Sequence, residues 1–214
     1  MKVKICGIRN ERDLYTAINA GADAVGFITE VPVDSPRKIS LAVAAQLIKK
    51  VPVFVTSVLV IMPENAERAI QMIHTARPTA VQIHNALPLP ELEKIKETGV
   101  KLVKTIPVSR DADPKLLMEL VSTLTGIVDA VLLDTVLDGK PGGTGTPHNW
   151  EITRDVVLRA GAPVILAGGL NPHNVGDAIR TVRPYAVDTA SGVETDGRKD
   201  ETKVYDFIRN ARMV

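Results

Sequence analysis

The chain has 214 residues, of which 45% are hydrophobic and 24% charged, and its formal net charge is +1. This composition is typical of one compact domain with a full core, and it argues against a nucleic-acid partner, because there is no basic excess and aromatic residues make up only 3%. The longest apolar stretch, residues 51–62, is too short for a membrane helix, and one cysteine with no visible signal peptide favours a cytoplasmic location.

Short apolar segments rich in β-branched residues recur along the chain and predict eight buried strands. They are Val3–Cys6, Ala24–Ile28, Phe54–Val60, Ala80–His84, Leu102–Ile106, Ala130–Asp134, Val164–Ala167 and Ala186–Thr189. Helical patterns separate these strands, and Asn10 and Ser40 are placed to cap the first two helices. The later helices are predicted near Asn65–Ala76, Pro90–Thr98, Pro114–Leu124, Trp150–Ala160, Pro172–Val182 and Glu201–Ala211.

The alternation of strand and helix implies right-handed crossovers and parallel strand pairing. An open doubly wound sheet also fits this alternation. Eight strand–helix units at a period of about 25 residues favour a closed α/β fold instead, a single-domain (β/α)8 TIM barrel with eight parallel strands over residues 1–214. In such barrels the chemistry lies at the carboxyl ends of the strands.

Cys6 and Asp134 are the candidate catalytic residues, because each is predicted to close an apolar strand. Side chains alternate along a strand, so Lys4 shares a face with Cys6, and a nearby ammonium favours a thiolate that could act as base or nucleophile. A buried cysteine can also be a simple small hydrophobe. Asp134 could act as a general acid whose pKa is raised by its apolar neighbours, or it could cap a loop.

Glycine-rich turns follow the last predicted strands. Gly143 and Gly145 belong to the first turn, Gly168 and Gly169 to the second, and Ser191 and Gly192 to the third. The second and third turns follow strands 7 and 8, which is where barrels often bind a phosphate through backbone amides. We therefore expect a phosphorylated substrate.

Three further polar residues are candidates for substrate binding, each with a structural alternative. Arg37 could stack on an aromatic ring or pair with a carboxylate, or it could be solvated. His84 shares a strand face with Gln82 and could contact substrate or be a structural histidine. Asp188 could bind sugar hydroxyls or fix the loop that follows it. The histidines show no metal-ligand spacing and no dinucleotide fingerprint follows a strand, so neither a metal nor a dinucleotide cofactor is expected.

The motifs together resemble those of phosphoribosylanthranilate isomerase, in the family's order and over nearly the whole chain. They are 4–8 (KICGI), 21–27 (GADAVGF), 35–37 (SPR), 81–84 (VQIH), 132–134 (LLD), 142–145 (GGTG), 166–170 (LAGGL) and 191–194 (SGVE). The resemblance implies an isomerase of tryptophan biosynthesis without a cofactor, which converts N-(5'-phosphoribosyl)anthranilate into a carboxyphenylamino-deoxyribulose phosphate. The sequence leaves open whether the protein is a monomer or a homodimer.

The resemblance also implies individual roles. Asp134 is then the general acid that opens the furanose ring, and Cys6 is the general base that removes the proton from the sugar C2. The turns at 168–169 and 191–192 hold the phosphate, Arg37 the anthranilate end and Asp188 the sugar. The chain departs from the usual pattern at 146–150, 85–87 and 189–190, which affects loop contacts rather than Cys6 or Asp134.

Three other functions remain open from the sequence. A histidine-pathway isomerase is mechanistically similar, but it uses an aspartate at the position of Cys6. Indole-glycerol-phosphate synthase relies on lysine and glutamate in an arrangement that this chain lacks. A non-catalytic phosphosugar-binding module would keep the glycine turns without needing Cys6 or Asp134.

Overall fold

The computed structural model describes residues 1–109, 111–137, 140–141 and 150–214. Within these residues, eight parallel strands pair in chain order, and the last strand also pairs with the first, so the barrel is closed. The strands are β1 (Lys2–Cys6), β2 (Ala24–Thr29), β3 (Thr56–Ile61), β4 (Ala80–Ile83), β5 (Lys101–Val108), β6 (Ala130–Leu137), β7 (Val164–Leu166) and β8 (Ala186–Thr189). The predicted (β/α)8 architecture is confirmed.

A helix follows each strand in the described part of the chain. The helices are α1 (Glu11–Asn19), α2 (Leu41–Ile48), α3 (Ala66–Ala76), α4 (Leu89–Lys96), α5 (Pro114–Leu124), α6 (Trp150–Arg159), α7 (Val175–Val182) and α8 (Glu201–Arg212). The predicted caps are confirmed, because the Asn10 side chain accepts from the amide of Asp13 and the Ser40 side chain from that of Val43. Among the described residues, no helix is long and apolar enough to cross a membrane.

The core has an outer and an inner layer, and β1 contributes to both. Val3 and Ile5 pack in the large outer layer between strands and helices. Cys6 packs inside the barrel against Val58 and Val60. Lys4 points to the same inner side and is buried. The predicted alternation along β1 is therefore correct, and it places Lys4 and Cys6 together inside the barrel.

Several strand boundaries differ from the predicted ones. Strand β3 begins at Thr56, and Phe54, predicted to lie within it, is 97% exposed. Strand β6 extends beyond Asp134 to Leu137, because its last two residues pair with the short antiparallel segment Lys140–Pro141. Asp134 therefore lies inside an extended strand rather than at its last position, although its side chain still faces the barrel mouth.

Candidate active site

A cavity of about 530 Å³ opens at the carboxyl ends of the strands. Most of the predicted site residues line it, namely Cys6, Arg37, His84, Asp134, Gly168, Gly169, Asp188 and Ser191. Gly192 lies in the turn directly after Ser191. Gly143 and Gly145 lie outside the described residues. The cavity therefore brings together side chains from the two ends of the sequence.

A buried ion pair lies beside Cys6. Lys4 on β1 and Asp188 on β8 are register partners, and Lys4 Nζ donates to Asp188 Oδ2 at 2.8 Å. Both side chains are more than nine-tenths buried. Asp188 Oδ1 has no hydrogen-bond partner among the described residues. Asp188 is thus anchored through one oxygen, while the other remains able to accept a hydrogen bond from a ligand.

Cys6 and Lys4 both lie over Gly26 of β2. A Cβ atom added at Gly26 would be 2.7 Å from Cys6 Sγ and 3.2 Å from Lys4 Cε. Any larger residue at this position would therefore displace the thiol. The glycine leaves room for the thiol and the lysine stem side by side inside the barrel.

The charges around Cys6 act in opposite directions. Burial raises the pKa of the Cys6 thiol, the Lys4 ammonium opposes this shift, and Asp188 adds to it. Burial by itself would lower the pKa of Lys4, but the adjacent Asp188 carboxylate and Cys6 raise it above the ordinary lysine value. Lys4 therefore remains an ammonium at every physiological pH.

Asp134 is a carboxyl group that remains partly protonated at neutral pH. Burial, followed by repulsion from the Asp188 carboxylate, raises the pKa of Asp134 to about 7, and Lys4 opposes the shift. A carboxyl group with such a pKa can donate a proton at neutral pH. The predicted desolvation of Asp134 is present, and repulsion by Asp188 adds to it.

His84 and Gln82 lie on the β4 side of the cavity. Burial, and then the ammonium groups of Lys104 and Lys4, lower the pKa of His84 to about 4, so the imidazole is neutral. Gln82 Nε2 donates to Thr105 Oγ1 at 3.0 Å, which leaves Gln82 Oε1 without a partner among the described residues. His84 Nδ1 is likewise buried and unpartnered in the described part. Both atoms could accept a hydrogen bond from a ligand.

Arg37 is held by a bidentate ion pair at the cavity wall. Its Nε and Nη2 atoms donate to the two carboxylate oxygens of Glu194 at 2.7–3.1 Å. Glu194 also accepts from Lys199 Nζ at 2.8 Å. Although burial alone would raise the pKa of Glu194, Arg37 and Lys199 hold it below its usual value. Two cations share one carboxylate, so this group of three keeps a net positive charge.

The second and third glycine turns pack directly against each other. Thr189 Oγ1 donates to the carbonyl of Leu170 at 2.7 Å, which joins the end of β8 to the loop after β7. A Cβ atom at Gly192 would be only 1.9 Å from that same carbonyl oxygen, so no side chain fits there. The two turns that were predicted to bind a phosphate are therefore in direct contact with each other.

The described residues contain no group of three His, Cys, Asp or Glu side chains that could hold a metal ion. The polar side chains that line the cavity include the thiol of Cys6, the carboxyl groups of Asp134 and Asp188, the imidazole of His84 and the amide of Gln82. These groups are suited to moving protons and binding hydroxyl groups. A (β/α)8 barrel with this site belongs to the class of barrel enzymes that catalyse proton transfer on small polar substrates.

Comparison with known proteins identifies the family. The family model of N-(5'-phosphoribosyl)anthranilate isomerase matches residues 3–210. A relative from Methanosarcina acetivorans that bears the same name is 52% identical over 99% of this chain and 93% of its own length. The isomerase structure from Thermotoga maritima superposes with a TM-score of 0.86 at 35% identity, over the full length of both chains. The chain belongs to the phosphoribosylanthranilate isomerase family, whose members are isomerases of tryptophan biosynthesis.

A further solved isomerase of this family holds reduced 1-(o-carboxyphenylamino)-1-deoxyribulose 5-phosphate. It is 34% identical to this chain, with a TM-score of 0.83 and full coverage of both chains.

Sequence reasoning missed some polar partners of this site. The pairing of Lys4 with Asp188 and that of Arg37 with Glu194 join residues more than 150 positions apart. Parallel pairing of the first and last strands, which barrel closure requires, is the signal that could have predicted the first of these contacts.

Proposed function

We propose that the chain catalyses the Amadori rearrangement of N-(5'-phosphoribosyl)anthranilate to 1-(2-carboxyphenylamino)-1-deoxyribulose 5-phosphate, with Asp134 as general acid and Cys6 as general base. Residues 1–214 would act as one catalytic domain. The observation that carries the proposal is that a carboxyl group with a pKa of about 7 and the sole thiol of the chain line one cavity. Family membership supplies the substrate.

In the first step Asp134 protonates the furanose ring oxygen. The bond between C1 and this oxygen breaks as the anthranilate nitrogen lone pair forms a protonated Schiff base. A neutral carboxyl group is needed here, because the leaving alkoxide would otherwise carry a full charge in a buried site. The raised pKa of Asp134 supports this role.

In the second step Cys6 removes the proton from C2. The adjacent iminium group acidifies that proton and accepts the electron pair, which gives an enolamine. Loss of the proton from the enol oxygen and addition of a proton at C1 then give the aminoketose. The reaction is an internal oxidoreduction and consumes no external electrons, since C2 is oxidised as C1 is reduced.

The remaining contacts would bind and orient the substrate. The turns at 168–169 and 191–192 would hold the phosphate through their backbone amides. The net positive group around Arg37 would attract the anthranilate carboxylate. Asp188 Oδ1, Gln82 Oε1 and His84 would accept hydrogen bonds from the sugar hydroxyls and the anilino N–H, because each is a buried acceptor without a partner among the described residues.

Turnover of the fluorescent substrate tests the proposal. We expect anthranilate-type fluorescence to fall on mixing, and the wild-type gene to restore growth of a tryptophan auxotroph that lacks this step. Asp134→Asn should do neither, while still binding a reduced product analogue. A phosphosugar-binding module would bind the analogue without any enzyme-dependent loss of fluorescence.

We propose that the protein acts in the cytoplasm. We also propose that it forms a homodimer rather than a monomer. The relative from Thermotoga maritima is dimeric, and Val53 and Phe54 form an apolar pair that is 90% and 97% exposed before β3. A second copy of the chain would cover this pair. Light scattering of the wild type and of Phe54→Ser tests it: a monomeric wild type would contradict the proposal.

A further inference from the structure

Sugar binding through Asp188 Oδ1 leaves the ion pair between Lys4 Nζ and Asp188 Oδ2 without a function in the reaction. Its Nζ–Oδ2 distance is 2.8 Å, and the two side chains are 5% and 8% exposed. Replacing such a pair with apolar side chains of similar volume is often neutral or stabilising, so stability alone does not explain it. Its place beside Cys6, and in the cavity that Asp134 also lines, suggests a function in catalysis.

The proposed reaction needs one proton on Asp134 and none on Cys6. The opposite distribution, with the proton on the thiol and a charged Asp134, has the same total charge. Solution pH therefore cannot favour one distribution over the other, since the two differ by no net proton. Only the surroundings of the two groups, that is burial, hydrogen bonds and nearby fixed charges, can do so.

We propose that the Lys4–Asp188 pair shifts this shared proton towards Asp134: the Lys4 ammonium stabilises the Cys6 thiolate, and the Asp188 carboxylate disfavours a second carboxylate at Asp134. The inference rests on the proposed function. Both ends of the pair are placed for it, because Lys4 lies with the thiol over Gly26 and Asp188 lines the cavity together with Asp134. Lys4 is thus a positioning residue rather than a proton donor.

The other charges that reach the two reacting groups are few within the described part of the chain. Lys199 and Arg37 contribute positive charge towards Cys6, but both are paired with Glu194. For Asp134, Asp188 and Lys4 are the described charged groups that act. Among the residues that the structure describes, the Lys4–Asp188 pair is therefore the one element that acts on both reacting groups.

The test titrates the thiol directly, which requires no turnover. Since Cys6 is the only cysteine, the ultraviolet absorbance of the thiolate, corrected with Cys6→Ser, reports its ionisation alone. We expect Lys4→Gln to move this titration upward by about one pH unit or more and to lower kcat/KM roughly 10–100-fold, mostly in kcat. Lys4→Arg should have a thiol titration and a kcat/KM close to those of the wild type, because it keeps the positive charge.

Two further variants are controls, one for misfolding and one for nonspecific charge effects. The double variant Lys4→Gln with Asp188→Asn removes both charges together, so no uncompensated charge is left buried, and its thiol should also titrate above that of Lys4→Arg. Lys2→Gln removes an exposed lysine on the same strand, where it pairs with Asp23, and should change neither the titration nor turnover.

The possible outcomes distinguish an incorrect role of Lys4 from an incorrect proposed function. If Lys4→Gln leaves the thiol titration where it is in the wild type, the inference is wrong even though the enzyme turns over. If the titration moves as expected but the wild type never consumes the substrate, the charge effect stands and the proposed function is wrong.

Discussion

Gln82 Nε2 donates a hydrogen bond to Thr105 Oγ1 at 3.0 Å across neighbouring strands inside the barrel. The bond fixes which way the amide points, so Gln82 Oε1 is left as a preoriented acceptor at the cavity. Gln82→Leu should lower kcat/KM by about 3–10-fold, the value of one neutral hydrogen bond.

Thr105→Val should cause a smaller loss, because the amide remains but is free to rotate. Gln46→Leu on the exposed face of α2 is the matched control. The test is the kcat/KM of the wild type and of the three variants. Equal activity of Gln82→Leu and Gln46→Leu would show that Gln82 does not contact the substrate.

Arg37 is predicted to bind substrate equally in the ground and transition states. Arg37→Gln should therefore raise KM about 10–100-fold with little change in kcat, as expected for a charge-assisted contact. Arg37→Lys should not restore KM fully, because lysine cannot form the bidentate pair with Glu194 that orients the guanidinium. A fall in kcat at unchanged KM would contradict the assignment of Arg37 to the anthranilate end.

The pH profile should reveal two groups. Asp134, with a pKa of about 7, must be protonated, and Cys6, whose pKa burial raises, must be ionised. Because the pKa of Asp134 lies below that of Cys6, the active form, with Asp134 protonated and Cys6 ionised, is a small fraction of the enzyme. This fraction is constant between the two pKa values. We expect kcat/KM to rise to about pH 7, stay flat, and fall only as the thiol ionises at alkaline pH.

Thiolate absorbance assigns the limbs of this profile. It should appear on the alkaline limb and not near pH 7. If the thiolate forms on the limb near pH 7, Cys6 and Asp134 have the opposite order of pKa values.

Asp134 should also destabilise the folded protein at neutral and higher pH. The pKa of Asp134 in the folded protein lies above its value of about 3.9 in the unfolded chain. Asp134 therefore does not reduce the free energy of unfolding below about pH 3.9, and reduces it progressively as the pH rises towards 7. Asp134→Asn should therefore stabilise the protein at pH 8, on the order of 4 kcal/mol, and change little at pH 4. Urea unfolding at the two pH values measures this, and equal effects at both would argue against a raised pKa.

The close packing of the two glycine turns predicts a selective loss of phosphate affinity. Gly192→Ala forces its Cβ onto the Leu170 carbonyl oxygen, so the turn must move. We expect weaker inhibition by inorganic phosphate and a higher KM. Gly176→Ala on α7, where a Cβ would make only ordinary contacts at 3.5 Å, is the control. Equal phosphate inhibition in both variants would place the anion elsewhere.

The sequence predicts the barrel well because apolar runs, helix caps and glycine turns are local signals. Its errors are also local in origin: Phe54 has strand propensity, yet no neighbouring strand pairs with it and it is exposed. Likewise, β6 continues past Asp134 because Lys140–Pro141 folds back on it, a contact that residue preferences do not encode.

The candidate site is less accessible to sequence reasoning because its geometry depends on barrel closure. Lys4 and Asp188 are 184 positions apart and become neighbours only when β8 pairs with β1. Asp188, a residue near the end of the predicted last strand, had two equal interpretations from the sequence. The same closure anchors its Oδ2 atom on Lys4 and leaves its Oδ1 atom without a partner among the described residues. The partner of Arg37 could not be predicted either, since Glu194 follows a turn whose path depends on the packing against Leu170.

The most direct test of the account is the single-turnover rate of substrate deuterated at C2, measured with the wild type and with Cys6→Ala. We predict a slower reaction of the deuterated substrate in the wild type, and a rate about 10²–10⁴-fold lower in Cys6→Ala, with binding of the reduced product analogue retained. A Cys6→Ala protein that reacts at the full rate with the same isotope effect would contradict the account, because the proton at C2 would then have another acceptor.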